Sequence, residues 1–154
     1  MRKSHCSGFT LLELMTASLV TALLLGIAVP TYFARVNQLK VGQAKQDLLT
    51  LATVIERFRN VHNFAPPDSL DEVMQQPMLD PWGHAYRYLN FNSSAPGVLG
   101  EIRKDHNLHP LNSEFDLYSM GADGTSQAAL TAKASLDDVI WARDGAFVGL
   151  GRDF

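Results

Sequence analysis

Glu13 is the one charged side chain between Phe9 and Ala34. A carboxylate at such a place in lipid costs about 2.5–3.5 kcal/mol on insertion scales, so it needs a counter-charge. The apolar run offers none. Scission of the Gly8–Phe9 bond would create one, an α-ammonium on Phe9. That group would lie four residues from Glu13 on the same helix face, or within reach of Glu13 in a neighbouring copy. The chemistry this spacing suggests is maturation by proteolysis followed by charge-directed docking. No catalytic pattern competes with it: there is no Gly-x-Ser-x-Gly elbow and no His-Glu-x-x-His pair, and Gly121 to Ser126 lacks the lysine of a phosphate loop. Asp105, His106 and His109 read as solvated loop residues, because three such groups in a loop define no closed metal geometry. The two tryptophans and four tyrosines read as core and turn packing. The expectation is a protein that is not an enzyme.

The element that must carry Glu13 is a helix. The 21 residues from Phe9 to Val29 would span about 32 Å, close to the hydrocarbon thickness of a bilayer. Arg2 and Lys3 precede the run, which favours a cytoplasmic N-terminus and a C-terminal domain on the far side. A buried core helix, a secretory signal ending at Gly26-Ile27-Ala28 and an ordinary single-span anchor are the competing readings. The first is disfavoured by length, the second by Glu13 and by helical pattern continuing past the cut, and the third leaves Glu13 unexplained. Beyond Pro30 the pattern turns amphipathic: Tyr32, Val36, Leu39, Ala44, Leu48, Leu51, Ile55 and Phe58 recur at helical spacing. One helix from Phe9 to about Val61 is predicted, with a bend or local unwinding at Gly26 to Pro30, where proline removes a backbone hydrogen bond and crowds the Gly26 carbonyl.

Pro66-Pro67 should end that region, and Asp68-Ser69 with Asp71-Glu72 should open a short helix. Asp80-Pro81-Trp82-Gly83 suits a type I turn. Tyr86 to Leu89, Val98 to Arg103 and Phe115 to Ser119 read as strands, with Asp105 to Pro110 as a loop. The fold class expected is α+β, a long helix packed on a small antiparallel sheet with an irregular C-terminal loop region. The formal net charge of −3, from 13 basic and 16 acidic residues, provides no clustered basic face for nucleic acid. The single cysteine, Cys6, cannot form an internal disulfide.

The segment Gly8-Phe9-Thr10-Leu11-Leu12-Glu13-Leu14, with its short basic leader and long apolar helix, resembles the class III signal of type IV prepilins and pseudopilins. That resemblance implies cleavage after Gly8 by a prepilin peptidase, methylation of Phe9, a role for Glu13 in docking into a filament, and a helix-kinking role for Pro30. Cleavage would remove Arg2, Lys3 and Cys6. Asp80-Pro81-Trp82-Gly83, Tyr86-Arg87-Tyr88 and Phe115 through Gly124 are similar to the major pseudopilin of the type II secretion system. This second likeness implies a structural calcium ion held by the Met120 carbonyl, Asp123 and the Asp137-Asp138 pair. Residues Thr125 to Ser135 lack the glycine-rich, acidic character of that family's loop. Without a metal, Asp123 would cap a turn and Asp137-Asp138 a short helix.

The organisation expected is a leader at 1–8, a transmembrane or filament-core half-helix at 9–30 and a periplasmic globular domain at 31–154. The function implied is a structural subunit of a type II secretion pseudopilus in the bacterial inner membrane. Its implied partners are other copies of itself, minor pseudopilins, the prepilin peptidase and the inner-membrane assembly platform. A type IV pilin for adhesion, motility or DNA uptake is the alternative, and a membrane-tethered binding module that never polymerises is a third. The tail from Ala142 to Phe154 departs from the secretion family's ending, and would form an extra hairpin or lie over the sheet.

Overall fold

A computed structural model describes residues 8–74, 76–94, 96–106 and 108–154. Arg2, Lys3 and Cys6, and all of the leader before Gly8, lie outside the described residues. By contacts the chain divides into one unit ending at Gln38 and a second covering Leu39–Phe154.

The dominant element is α1, Leu11–Val61, with Pro30 inside it. Its bounds match the expected helix within two residues. Its stop is made locally: Asn63 and Phe64 adopt positive φ, and the Phe64 amide donates to the Arg59 carbonyl at 2.8 Å. This left-handed closure satisfies a carbonyl that the helix end would otherwise orphan. The expected short helix follows as a 3-10 turn at Leu70–Glu72, though Ser69 makes no side-chain cap bond.

The second unit holds a four-stranded antiparallel meander in the order β1 (Arg87–Asn90), β2 (Phe115–Ser119), β3 (Val139–Ala142) and β4 (Phe147–Leu150). Leu117 pairs with Trp141 and Ala142 with Phe147. On one face, Ala44, Leu48, Leu51, Ala52 and Ile55 of α1 pack with Tyr86, Phe115, Leu117, Val139 and Trp141. The alternation along β2 puts Phe115 and Leu117 on this face, as the period of two requires. The rings of Phe115 and Trp141 stack with centroids 4.9 Å apart. On the other face Leu111, Leu130, Ile140 and Ala142 form a smaller cluster beneath loops and the C-terminal tail. Of the predicted apolar stripe, Ala44, Leu48, Leu51 and Ile55 reach the core, whereas Tyr32 and Leu39 are exposed.

Two sequence expectations change. Val98 to Arg103 is not a strand: Val98–Glu101 is a helical turn, α2, which opens from Gly97 at φ 92. Its run of Val, Leu and Ile is too short for periodicity to separate turn from strand, and only Val98 and Ile102 of it are buried apolar residues. The second change is an addition. β3 was unannounced because all four of its residues are buried, so no polar alternation marks it. The tail forms the hairpin alternative, with left-handed backbone at Arg143, Asp144 and Gly145. The Asp144-Gly145 dipeptide is the sequence signal that locates it.

Candidate functional site

The first candidate region is the start of α1. Thr10 precedes the helix, and its Oγ1 accepts the Glu13 amide at 3.3 Å while its carbonyl accepts the Leu14 amide at 3.2 Å. Thr10-x-x-Glu13 is thus a helix-capping pattern, and Glu13 sits in the first turn, where a carboxylate meets the positive end of the helix dipole. Sequence reasoning centred on the missing counter-charge passed over this local role, which the Thr-x-x-Glu spacing signals. Phe9 is 84% exposed, and a Cβ built on Gly8 meets nothing within 4 Å, so the Gly8–Phe9 bond is open to approach.

Within the first unit the apolar side chains from Leu11 to Ile27 face outward, and the helix is long and apolar enough to cross a membrane, none of its most apolar stretch being buried. Its hydroxyls are satisfied inside the helix: Ser18, Thr21 and Thr31 each donate to the carbonyl four residues earlier at 2.8 Å. Such back-bonding removes the cost of a free hydroxyl in hydrocarbon. α1 remains helical through Gly26 and Pro30. Nothing lies within 4 Å of a Cβ built on Gly26.

The second region surrounds the Asp80 turn and the loop that follows β2. The Gly83 amide donates to the Asp80 carbonyl at 2.9 Å, closing the expected turn. The buried Asp80 carboxylate organises it: Oδ1 accepts the amides of Trp82 at 3.0 Å and His84 at 2.8 Å, and Oδ2 accepts the Ser119 hydroxyl at 2.6 Å. His84 Nδ1 donates to the Gly121 carbonyl at 3.2 Å. His84, absent from the sequence-based candidates, therefore connects this turn to the loop.

The three carboxylates expected to bind calcium do not gather as one donor set. Met120 accepts Arg87 Nε through its sulfur at 3.3 Å. Asp123 Oδ1 accepts the Thr125 amide at 2.8 Å, which is the turn-capping role. Asp137 Oδ2 accepts the amides of Ala122 and Asp123 at 2.9 and 3.1 Å; Gly121, at φ 65, lies so close to Asp137 that any side chain there would strike it. Asp138 turns inward and is fully buried. Its Oδ2 accepts Arg103 Nη2 and the Ser126 hydroxyl, each at 2.6 Å. Neither Asp137 nor Asp138 caps a helix. Among the described residues no three His, Cys, Asp or Glu side chains gather around a common point. Six to eight oxygens around one ion are what calcium requires; Arg103 already holds Oδ2 of the inner carboxylate, while Oδ1 of that carboxylate is buried without a hydrogen-bond partner among the described residues. In this arrangement each of the three carboxylates is held by groups of the chain itself.

Sequence reasoning also passed over Arg103, which is 2% exposed. Its guanidinium lies 4.0 Å from the centroid of the Tyr118 ring, and Nη1 donates to Ser126 Oγ at 2.7 Å. Burial pushes the Asp138 carboxyl above the ordinary range, with Arg103 and Ser126 opposing. Asp116 is also raised by burial, against the Arg103 amide and Asn112. A single arginine in a loop carries no periodic or motif signal that distinguishes it from surface charge.

Residues 3–29 match the model of the prokaryotic N-terminal methylation motif. The type II secretion system core protein G of Pseudomonas aeruginosa is 31% identical, the match covering 80% of this chain and 89% of the relative. Proteins of the same name from Aeromonas hydrophila and Vibrio cholerae are 26% and 24% identical, each over 80% of this chain and over 88% and 84% of their own lengths. No solved structure gives a significant match.

Proposed function

Because the chain belongs to the family of type II secretion system core protein G, we propose that it is the major pseudopilin of such a system: a structural subunit, not an enzyme. The observation that carries this reading is likeness along both units at once, with the methylation motif over residues 3–29 and 31% identity across most of the chain. The N-terminal helix is a membrane anchor, and the globular domain follows it. In the finer reading, the anchor lies in the inner membrane with the domain in the periplasm, and a prepilin peptidase cuts between Gly8 and Phe9 and methylates Phe9. Copies then polymerise through α1, with minor pseudopilins and an inner-membrane platform as partners. The helix yields at Gly26 to Pro30 as the subunit enters the filament; backbone hydrogen bonding unbroken from residue 22 to 34 in an assembled filament would count against that bend.

Glu13 directs the assembly by pairing with the ammonium of a neighbour's Phe9, a charge pair whose desolvated setting makes it worth more than a surface bridge. Glu13→Leu removes the charge while keeping the span apolar. The variant should insert into membrane at parental levels and be strongly depleted from sheared or cross-linked filaments. Normal incorporation would refute the role given to Glu13. For the function itself, supernatants of a strain lacking this chain should lose exported proteins and regain them on complementation. An unchanged supernatant would overturn the secretion assignment.

A further inference from the structure

We propose that Arg103 is a covalently tethered substitute for a metal ion, closing the loop between β2 and β3 so that this subunit folds without calcium. The argument starts from which charges are buried. Asp138 and Arg103 are both withdrawn from solvent, and they meet at 2.6 Å. Ser126 completes a closed triad, accepting from Nη1 and donating to the same Asp138 oxygen. The triad joins three stretches of chain: the segment after α2, the loop after β2 and the start of β3. The Arg103 amide adds a fourth connection, donating to Asp116 Oδ2 on β2 at 2.7 Å.

The backbone around the triad is laced in the same sense. The Lys104 amide donates to the Ala128 carbonyl and the Leu130 amide to the Lys104 carbonyl, both at 2.9 Å, forming a parallel bridge between Lys104 and Ala129. Ser135 ties the loop across itself, its hydroxyl bonded to both amide and carbonyl groups of Gln127. The loop is therefore fastened at its middle and at its end by groups of the chain. A divalent ion near Asp138 would have to share that carboxylate with the guanidinium, a like-charge contact in a poorly solvated place. Asp137 and Asp123, the other two carboxylates, are engaged by backbone amides on the exposed side.

The physical difference between the two devices is concentration. An ion at free concentration c stabilises a fold by RT ln(1 + c/Kd), so its contribution depends on the free ion and is lost to chelators. An arginine is present at one per chain whatever the medium holds. Its geometry also suits the task, since the planar fork bonds Ser126 and Asp138 at once while its face lies on Tyr118. This inference stands apart from the assembly reading, because a subunit unable to polymerise would melt in the same way.

The test uses the full-length protein in detergent, melted with a chelator and with excess calcium chloride. The melting temperature should be the same in both. A saturable rise with calcium would overturn the proposal. Variants supply an independent reading through limited proteolysis of the loop. Arg103→Met should lower the melting temperature and open residues 120–138 to cleavage, and Arg103→Met/Asp138→Leu should recover part of that loss, since it removes the stranded charge. A loop in Arg103→Met as resistant as in the parent would also overturn it.

Discussion

Asp80→Ala should be among the most damaging single substitutions at the turn before β1, and its cost can be built from three hydrogen bonds. Asp80 is 4% exposed, and its carboxylate accepts the amides of Trp82 and His84 on one oxygen and the Ser119 hydroxyl on the other. Hydrogen bonds to a charged acceptor contribute about 1.5–3 kcal/mol each. Trp82 and His84 are half-buried, so water reaches their freed amides in part, and losses within one network do not add. A net cost of about 3 kcal/mol follows, or roughly 10 °C for a domain of this size. Asp80→Asn keeps an acceptor for the two amides and should cost about 1 kcal/mol. Ser119→Ala loses the hydroxyl bond and the acceptor for the Gly121 amide, again about 1 kcal/mol. Near-ultraviolet circular dichroism of the full-length protein in detergent follows the transition, because Trp82 and Trp141 are the only tryptophans. Equal losses for Asp80→Ala and Ser119→Ala would show that the carboxylate does not organise the turn.

Leu48→Ala removes a fully buried side chain where α1 meets the sheet, and should cost about 2–5 kcal/mol in the same melts; a change under about 1 kcal/mol would contradict the packing described. Alkaline pH should destabilise the domain through Tyr86 and Tyr88. Both phenols are raised by burial first, Tyr86 next by its bond to Asp47 and Tyr88 next by the Asp68 charge, so the folded chain keeps protons that the unfolded chain releases above about pH 10. Stability from these groups is complete below that value and falls as pH rises beyond it. Tyr86→Phe should weaken the fall, and an equally steep loss in that variant would exclude Tyr86 as a cause.

What could be read in advance followed the range of each physical signal. α1 was legible because an apolar run and then a helical stripe persist over tens of residues, and β2 because Phe115 and Leu117 alternate beside polar neighbours. The Asp80 turn was legible because Asp, Pro and Gly occupy positions that the turn's dihedral angles demand. β3 was hidden by burial on both faces, and α2 by its length. The region around Asp138 was misread for a different reason. Adjacent carboxylates look alike in sequence, yet the loop backbone leading into β3 sends Asp137 out to the loop amides and Asp138 in to Arg103. No local pattern records that Arg103, 35 residues earlier in the chain, will be its partner.

The exposed apolar length of α1 bears on how reversible a pseudopilus can be. Lipid tails are as apolar as the leucines that face them, so a helix passing from bilayer to a bed of neighbouring helices gains almost nothing from leaving water. Water was already absent. The hydrophobic effect that makes folding of the second unit favourable is therefore silent at the step that builds the filament. Close packing, hydrogen bonds and charge pairing must carry that step. Without the hydrophobic drive, exchange of such a helix between bilayer and neighbouring helices lies nearer balance than the folding of the second unit does.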